Sequence, residues 1–128
     1  MIRFLDCVTV YRVEKNGLGP YCGSFPIVGH GVSEWTTRTH SFETGCPGPY
    51  DDGLNKHLES RLGNDPYHVF GFISLEQFAK WFNSKELYNL TDLGFRLSVY
   101  HASNVITSDF QCIFFKHEAV LEKECNLI

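Results

Sequence analysis

Residues 95–115 read FRLSVYHASNVITSDFQCIFF, and this stretch decides the fold. Phe95, Leu97 and Val99 alternate with Arg96, Ser98 and Tyr100, the period-two pattern of a strand with one core face. Residues 109–115 form the last clear strand. Phe110, Cys112 and Phe114 point to one face, Gln111, Ile113 and Phe115 to the other. Apolar on much of both faces, it belongs inside a sheet rather than at its edge. The two closing strands are consecutive, so antiparallel pairing is expected there.

Working outward, Ser74-Leu75-Glu76-Gln77 opens a helix: Ser74 caps it, and Gln77 can reach back to complete a capping box. Leu75, Phe78, Trp81 and Phe82 then form its apolar stripe. Ser84 is expected to cap a second short helix through Leu90. Upstream, residues 67–73 read as a strand and residues 50–62 as a helix, with Asp51 and Asp52 at its positive end and Gly63 just past its close. Residues 4–14 read as the first strand, and residues 15–32 as a long glycine-rich loop. A short terminal helix is expected over residues 117–124. The order predicts a single globular α+β domain over residues 1–128. Its core is a twisted, largely antiparallel sheet of four to six strands, packed by two to four helices.

The bulk numbers narrow the function classes. A chain of 128 residues with 43% hydrophobic and 20% charged residues is globular. Its net charge of −4 and scattered Lys and Arg argue against a nucleic-acid partner. Five cysteines without a Cys-x-x-Cys pair read as buried reduced thiols. No apolar run approaches a membrane span, and the first residues have no long apolar region of a signal peptide. The expected setting is the cytoplasm, with no membrane partner.

Arg12 and Glu14 are the first candidate site residues. They share one face of a segment, Val8 to Val13, that is otherwise β-branched or aromatic. They form either a paired structural charge or the floor of a polar pocket whose arginine grips a phosphate or carboxylate. Gly19-Pro20 is not followed by the Lys-Ser/Thr of a Walker loop. The six histidines show no helical His-x-x-x-His pair and no zinc-module spacing, so neither metal nor cofactor is expected. His40, with Asp51 downstream, is the histidine best placed for acid–base work. No Gly-x-Ser-x-Gly elbow surrounds Ser24, Ser33 or Ser41, and no catalytic residue is assigned. Tyr21, Phe25, Trp35 and Tyr50 are aromatics in polar or glycine-rich stretches. They either tie the loop to the core or present rings to a nucleobase or a protein partner.

Val10-Tyr11-Arg12-Val13-Glu14 leading to Gly19-Pro20-Tyr21, then Phe70-Gly71-Phe72 with Ser74-Leu75-Glu76-Gln77 and Trp81-Phe82, then Gly94-Phe95-Arg96-Leu97, resembles a group of small uncharacterised bacteriophage and prophage proteins. The resemblance spans most of residues 8–100 and implies an accessory role in host takeover or against host defence. A fainter likeness is to the ADP-ribosyltransferase-like fold. Arg12 would stand at its early strand, and Phe72 or Ser74 at the residue before its helix. Its late-strand glutamate has no counterpart in residues 109–115; Glu118 and Glu122 lie beyond.

Two readings follow. The first is a phage accessory protein that binds and blocks a host factor, such as a defence component, through Tyr21, Phe25, Trp35 and Tyr50. The alternative is a binder of a nucleotide or NAD derivative, an ADP-ribosyltransferase-like enzyme in its catalytic form. Arg12, Glu14, Tyr21, Trp35, His40, Phe72 and Ser74 would line that site. The partner is a host protein in one case and a nucleotide-type small molecule in the other, and a homodimer is compatible with both.

Overall fold

A computed structural model describes residues 1–20, 45–47, 53–54 and 68–128. In chain order the described elements are β1 (Arg3–Leu5), β2 (Val8–Glu14), β3 (His68–Gly71), α1 (Leu75–Trp81), α2 (Ser84–Asp92), β4 (Arg96–Ala102), β5 (Val105–Thr107), β6 (Cys112–Phe115) and β7 (Val120–Cys125). The class is α+β, as expected. The strands form two antiparallel sheets in place of one, in the orders β1-β5-β6-β3 and β2-β4-β7.

The split has a local cause. The run expected over residues 4–14 breaks at Asp6-Cys7, where Cys7 takes φ 54°. Across from it, Asn104 takes φ 57° between β4 and β5. Leu5 pairs with Val105 before the break and Val8 with Ala102 after it, so the register continues without slip. One long two-stranded ribbon therefore bends at both left-handed residues and gives each half to a different sheet. The Asn104 N–H donates to Asp6 Oδ1 at 3.2 Å and pins the bend. The sheets meet again where Tyr11 and Phe72 exchange backbone hydrogen bonds of 2.7 and 2.8 Å. Gly71 sits at that crossing: a Cβ there would come within 2.8 Å of Val10 Cγ1 and 2.9 Å of the Tyr11 carbonyl oxygen.

The bend closes the inner faces on one another. Val10, Tyr100 and Ala102 of one sheet pack with Val105, Cys112 and Phe114 of the other. The outer face of the three-stranded sheet carries the helices, through Val13, Leu97, Phe78, Trp81, Phe82 and Leu90. This explains why β4 has no polar face: Ser98 and Tyr100 are as buried as Leu97 and Val99, because layers cover both sides. The central placement of β6, between β5 and β3, matches its two apolar faces.

Ser74 caps α1 as expected, its Oγ accepting from the Gln77 N–H at 3.1 Å. The returning Gln77 side chain accepts from Ile73, one residue earlier than a capping box requires. The second helix is capped by Asn83 rather than Ser84. Asn83 and Glu86 complete the reciprocal box, and the helix runs to Asp92. The helix expected over residues 117–124 is a single 3-10 turn, Lys116–Glu118, followed by β7. Pairing with β4 overrides the helical preference of Leu121 to Glu124. The helix expected over residues 50–62 lies mostly outside the described residues; Gly53, at φ 95°, does not take helical backbone. Among the described residues no helix is long and apolar enough to cross a membrane.

Candidate functional site

Arg12 and Glu14 lie at the end of the inner face of β2, beyond Val10. Register places Arg12 opposite Ser98 and Val10 opposite Tyr100 on β4. Four side chains with complementary charge or hydrogen-bonding groups therefore share one end of the space between the sheets. Lys116, in the turn after β6, closes the group from the facing sheet.

Glu14 is the hub, with its side chain only 4% exposed. Its Oε2 accepts from Arg12 Nε at 2.9 Å and from Lys116 Nζ at 2.8 Å. The Tyr100 hydroxyl donates to Oε1, and the Ser98 side chain adds a further hydrogen bond. Burial alone would raise the Glu14 pKa. The hydrogen bonds from Lys116, Tyr100 and Ser98, with the Arg12 charge, outweigh that and hold it below the ordinary carboxylate value. Tyr100 is shifted up, first by burial and then by its bond to the Glu14 carboxylate, so it stays a neutral donor.

The two cations carry the network outward. Arg12 Nη1 donates to the Phe70 carbonyl at 2.7 Å, tying β2 to β3. Lys116 Nζ also donates to the Gly17 carbonyl at 2.7 Å. Gly17 and Asn16 both have positive φ and form the two-residue turn between Lys15 and Leu18, the Asn-Gly hairpin chemistry. Gly19 lies under the guanidinium, where a Cβ would meet Arg12 Nη2 at 3.0 Å. The cluster thus fastens β2, β3, β4, the turn after β6 and the Asn16-Gly17 turn at one point. Chemically it holds a carboxylate ionised near neutral pH, so Glu14 is no proton donor there.

Of the residues singled out from sequence, Arg12 and Glu14 come together. Phe72 faces the other way, buried in the helical core with ring centroids 6.0 Å from Phe78 and 6.1 Å from Phe82. Ser74 is engaged as the cap of α1. Tyr21, Phe25, Trp35, His40 and Tyr50 lie outside the described residues. Tyr100, Ser98 and Lys116 escaped sequence reasoning. The available signal was the alternation that puts Ser98 and Tyr100 on one face of β4, but only the register with β2 shows that this face meets Arg12 and Glu14.

No match was found among curated proteins or among solved structures. A family model does match, over residues 5–128, with the description Bacteriophage T4 Y00F protein. It covers the bent ribbon from Leu5 onward, the polar cluster and β7, and it agrees with the likeness to small phage proteins carried by the motifs around Arg12, Phe72 and Ser74. The chain belongs to the Bacteriophage T4 Y00F protein family.

Proposed function

We propose that this phage protein acts by binding a protein of the bacterial host and blocking it, a component of host defence being the target class. The observation that carries this reading is the engagement of Arg12. Its Nε is spent on Glu14 and its Nη1 on the Phe70 carbonyl, with the side chain only 11% exposed. An arginine committed to holding two sheets together is a poor grip for a nucleotide phosphate, which favours docking over the nucleotide-binding alternative.

The test is retention of a host protein from lysate by the purified chain, followed by reconstitution with the purified partner. A stable complex is expected, weakened by Tyr21→Ala or Trp35→Ala. A thermal-shift panel with NAD, ADP-ribose and mononucleotides supplies the contrast. A nucleotide-dependent rise in melting temperature, abolished by Arg12→Lys and unaccompanied by any retained protein, overturns the proposal.

A further inference from the structure

The outer edge of β7 offers a place for such a partner. Among the described residues β7 is bonded on one side only, to β4. Among the described residues, the one backbone bond it makes outside that ladder is the Glu124 carbonyl accepting from Arg96 Nη2 at 3.3 Å. The ladder to β4 shifts register between Val99 and Tyr100, which leaves Glu122 as a bulge; on either side of it the outer edge presents N–H and C=O groups that can template another strand. Val120 and Leu121, 66% and 48% exposed, add apolar surface.

We propose that the β7 edge receives an extended segment of the host protein bearing Lys or Arg side chains, which adds to the three-stranded sheet as a fourth strand. The inference rests on the host-binding reading and names its surface and partner chemistry. Charge supplies the choice of occupant. Glu122 and Glu124 project from β7, and Lys123 is the strand's one cation. At its start Asn104 links Asp6 and Glu118, with Nδ2 donating to Glu118 Oε2 at 3.3 Å. Among the described residues Asp6, Glu118 and Glu124 have no cationic partner, and Glu122 has only His101, at 3.9 Å. An incoming basic strand would neutralise carboxylates that the fold leaves uncompensated.

A second copy of this chain fits the edge less well. Directly opposite residues in an antiparallel pair exchange both hydrogen bonds or neither, so a self-pairing must centre on one residue facing its own copy. Centring on Glu122 sets that carboxylate against itself. Centring on Lys123 sets Lys123 against Lys123 and Glu122 against Glu124. Like charges directly opposite are destabilising. Centring on Leu121 avoids the clash but runs the 3-10 turn into the pairing and cuts the overlap short.

The test uses a synthetic ten-residue peptide alternating lysine with valine, titrated into the isotope-labelled full chain and followed by amide NMR. Saturable shifts in Val120–Cys125 are expected. Replacing the peptide's lysines by glutamates, or making the double variant Glu122→Lys/Glu124→Lys, should weaken binding about tenfold. The melting temperature of that exposed-site variant should be unchanged. Peptide-induced shifts elsewhere, or none, overturn the inference. So do β7 shifts that grow with protein concentration alone, which would assign the edge to a second copy. Retention of a host protein in lysate is measured independently. A retained partner that leaves β7 amides unprotected against hydrogen exchange overturns this surface and spares the host-binding reading; no retained partner overturns both.

Discussion

Glu14 and Lys116 lie 102 positions apart in the chain, yet Lys116 Nζ stands 2.8 Å from Glu14 Oε2. The same ammonium holds the Gly17 carbonyl, so one side chain joins the turn after β6 to both the end of β2 and the turn that follows it. The Arg12–Glu14 pair, which looks local in sequence, is half of a long-range clamp.

Removing the charge at the hub should be severe. Glu14→Gln keeps the shape but leaves Arg12 and Lys116 facing one another without an anion. The expected loss is about 3–5 kcal/mol, the range for breaking a buried pair by removing one partner. Urea denaturation measures it. Lys116→Met should cost less, about 1 kcal/mol, because Lys116 is 29% exposed and solvent screens it. Adding Lys116→Met to Glu14→Gln should recover part of the loss.

The same carboxylate sets an acid limb. Its pKa is lower in the folded chain than in the unfolded one. Its contribution is therefore present above the ordinary glutamate value, near 4.5, and is lost as pH falls from there through the folded value. Stability measured against pH should fall through this window in the native protein and fall less in Glu14→Gln. Tyr100 acts in the opposite sense. Its raised pKa gives a contribution that is present below the ordinary tyrosine value of 10.0 and lost as pH rises above it. Tyr100→Phe should flatten the alkaline limb.

The sheet crossing tolerates no side chain. In Gly71→Ala the new methyl meets Val10 Cγ1, the Tyr11 carbonyl oxygen and, at 3.2 Å, Phe114 Cε1. Backbone cannot step aside as a flexible side chain can, so a loss of about 1–3 kcal/mol is expected, at the upper end of that range. Thermal unfolding is the measurement, and a near-neutral result would mean that the Tyr11–Phe72 bridge is not formed in solution.

Helix caps give a smaller, separable effect. Ser74→Ala and Asn83→Ala should each cost about 1 kcal/mol, because each removes the acceptor for an otherwise orphan N–H of the first turn. Glu86→Ala should lose the other half of the Asn83 box and add little to Asn83→Ala in the double variant.

What could be read from sequence was what local chemistry encodes. Arg12 and Glu14 two residues apart on a strand must share a face, and Ser74 ahead of an apolar stripe must cap. β6 was recognisable because both faces are apolar. The second sheet was hidden because its corners are made by Cys7 and Asn104, residue types far less diagnostic of left-handed backbone than glycine. β7 was hidden because Leu-Glu-Lys-Glu favours a helix until β4 supplies a strand to pair with. Tyr100 and Lys116 reach Glu14 only through a register between distant strands, which no window of neighbouring residues contains.

The bent ribbon also constrains how the protein is made. β1 and β2 are synthesised well before their partners, β5 and β4. A strand with three valines must therefore wait for its full ladder until residues 96–102 have been translated; before that the Tyr11–Phe72 bridge is its earlier link among the described residues. Pairings of such high sequence separation form slowly, because loop closure comes before any contact rewards it. The ribbon thus closes late relative to its own first strands, which until then are open to chaperones and to aggregation.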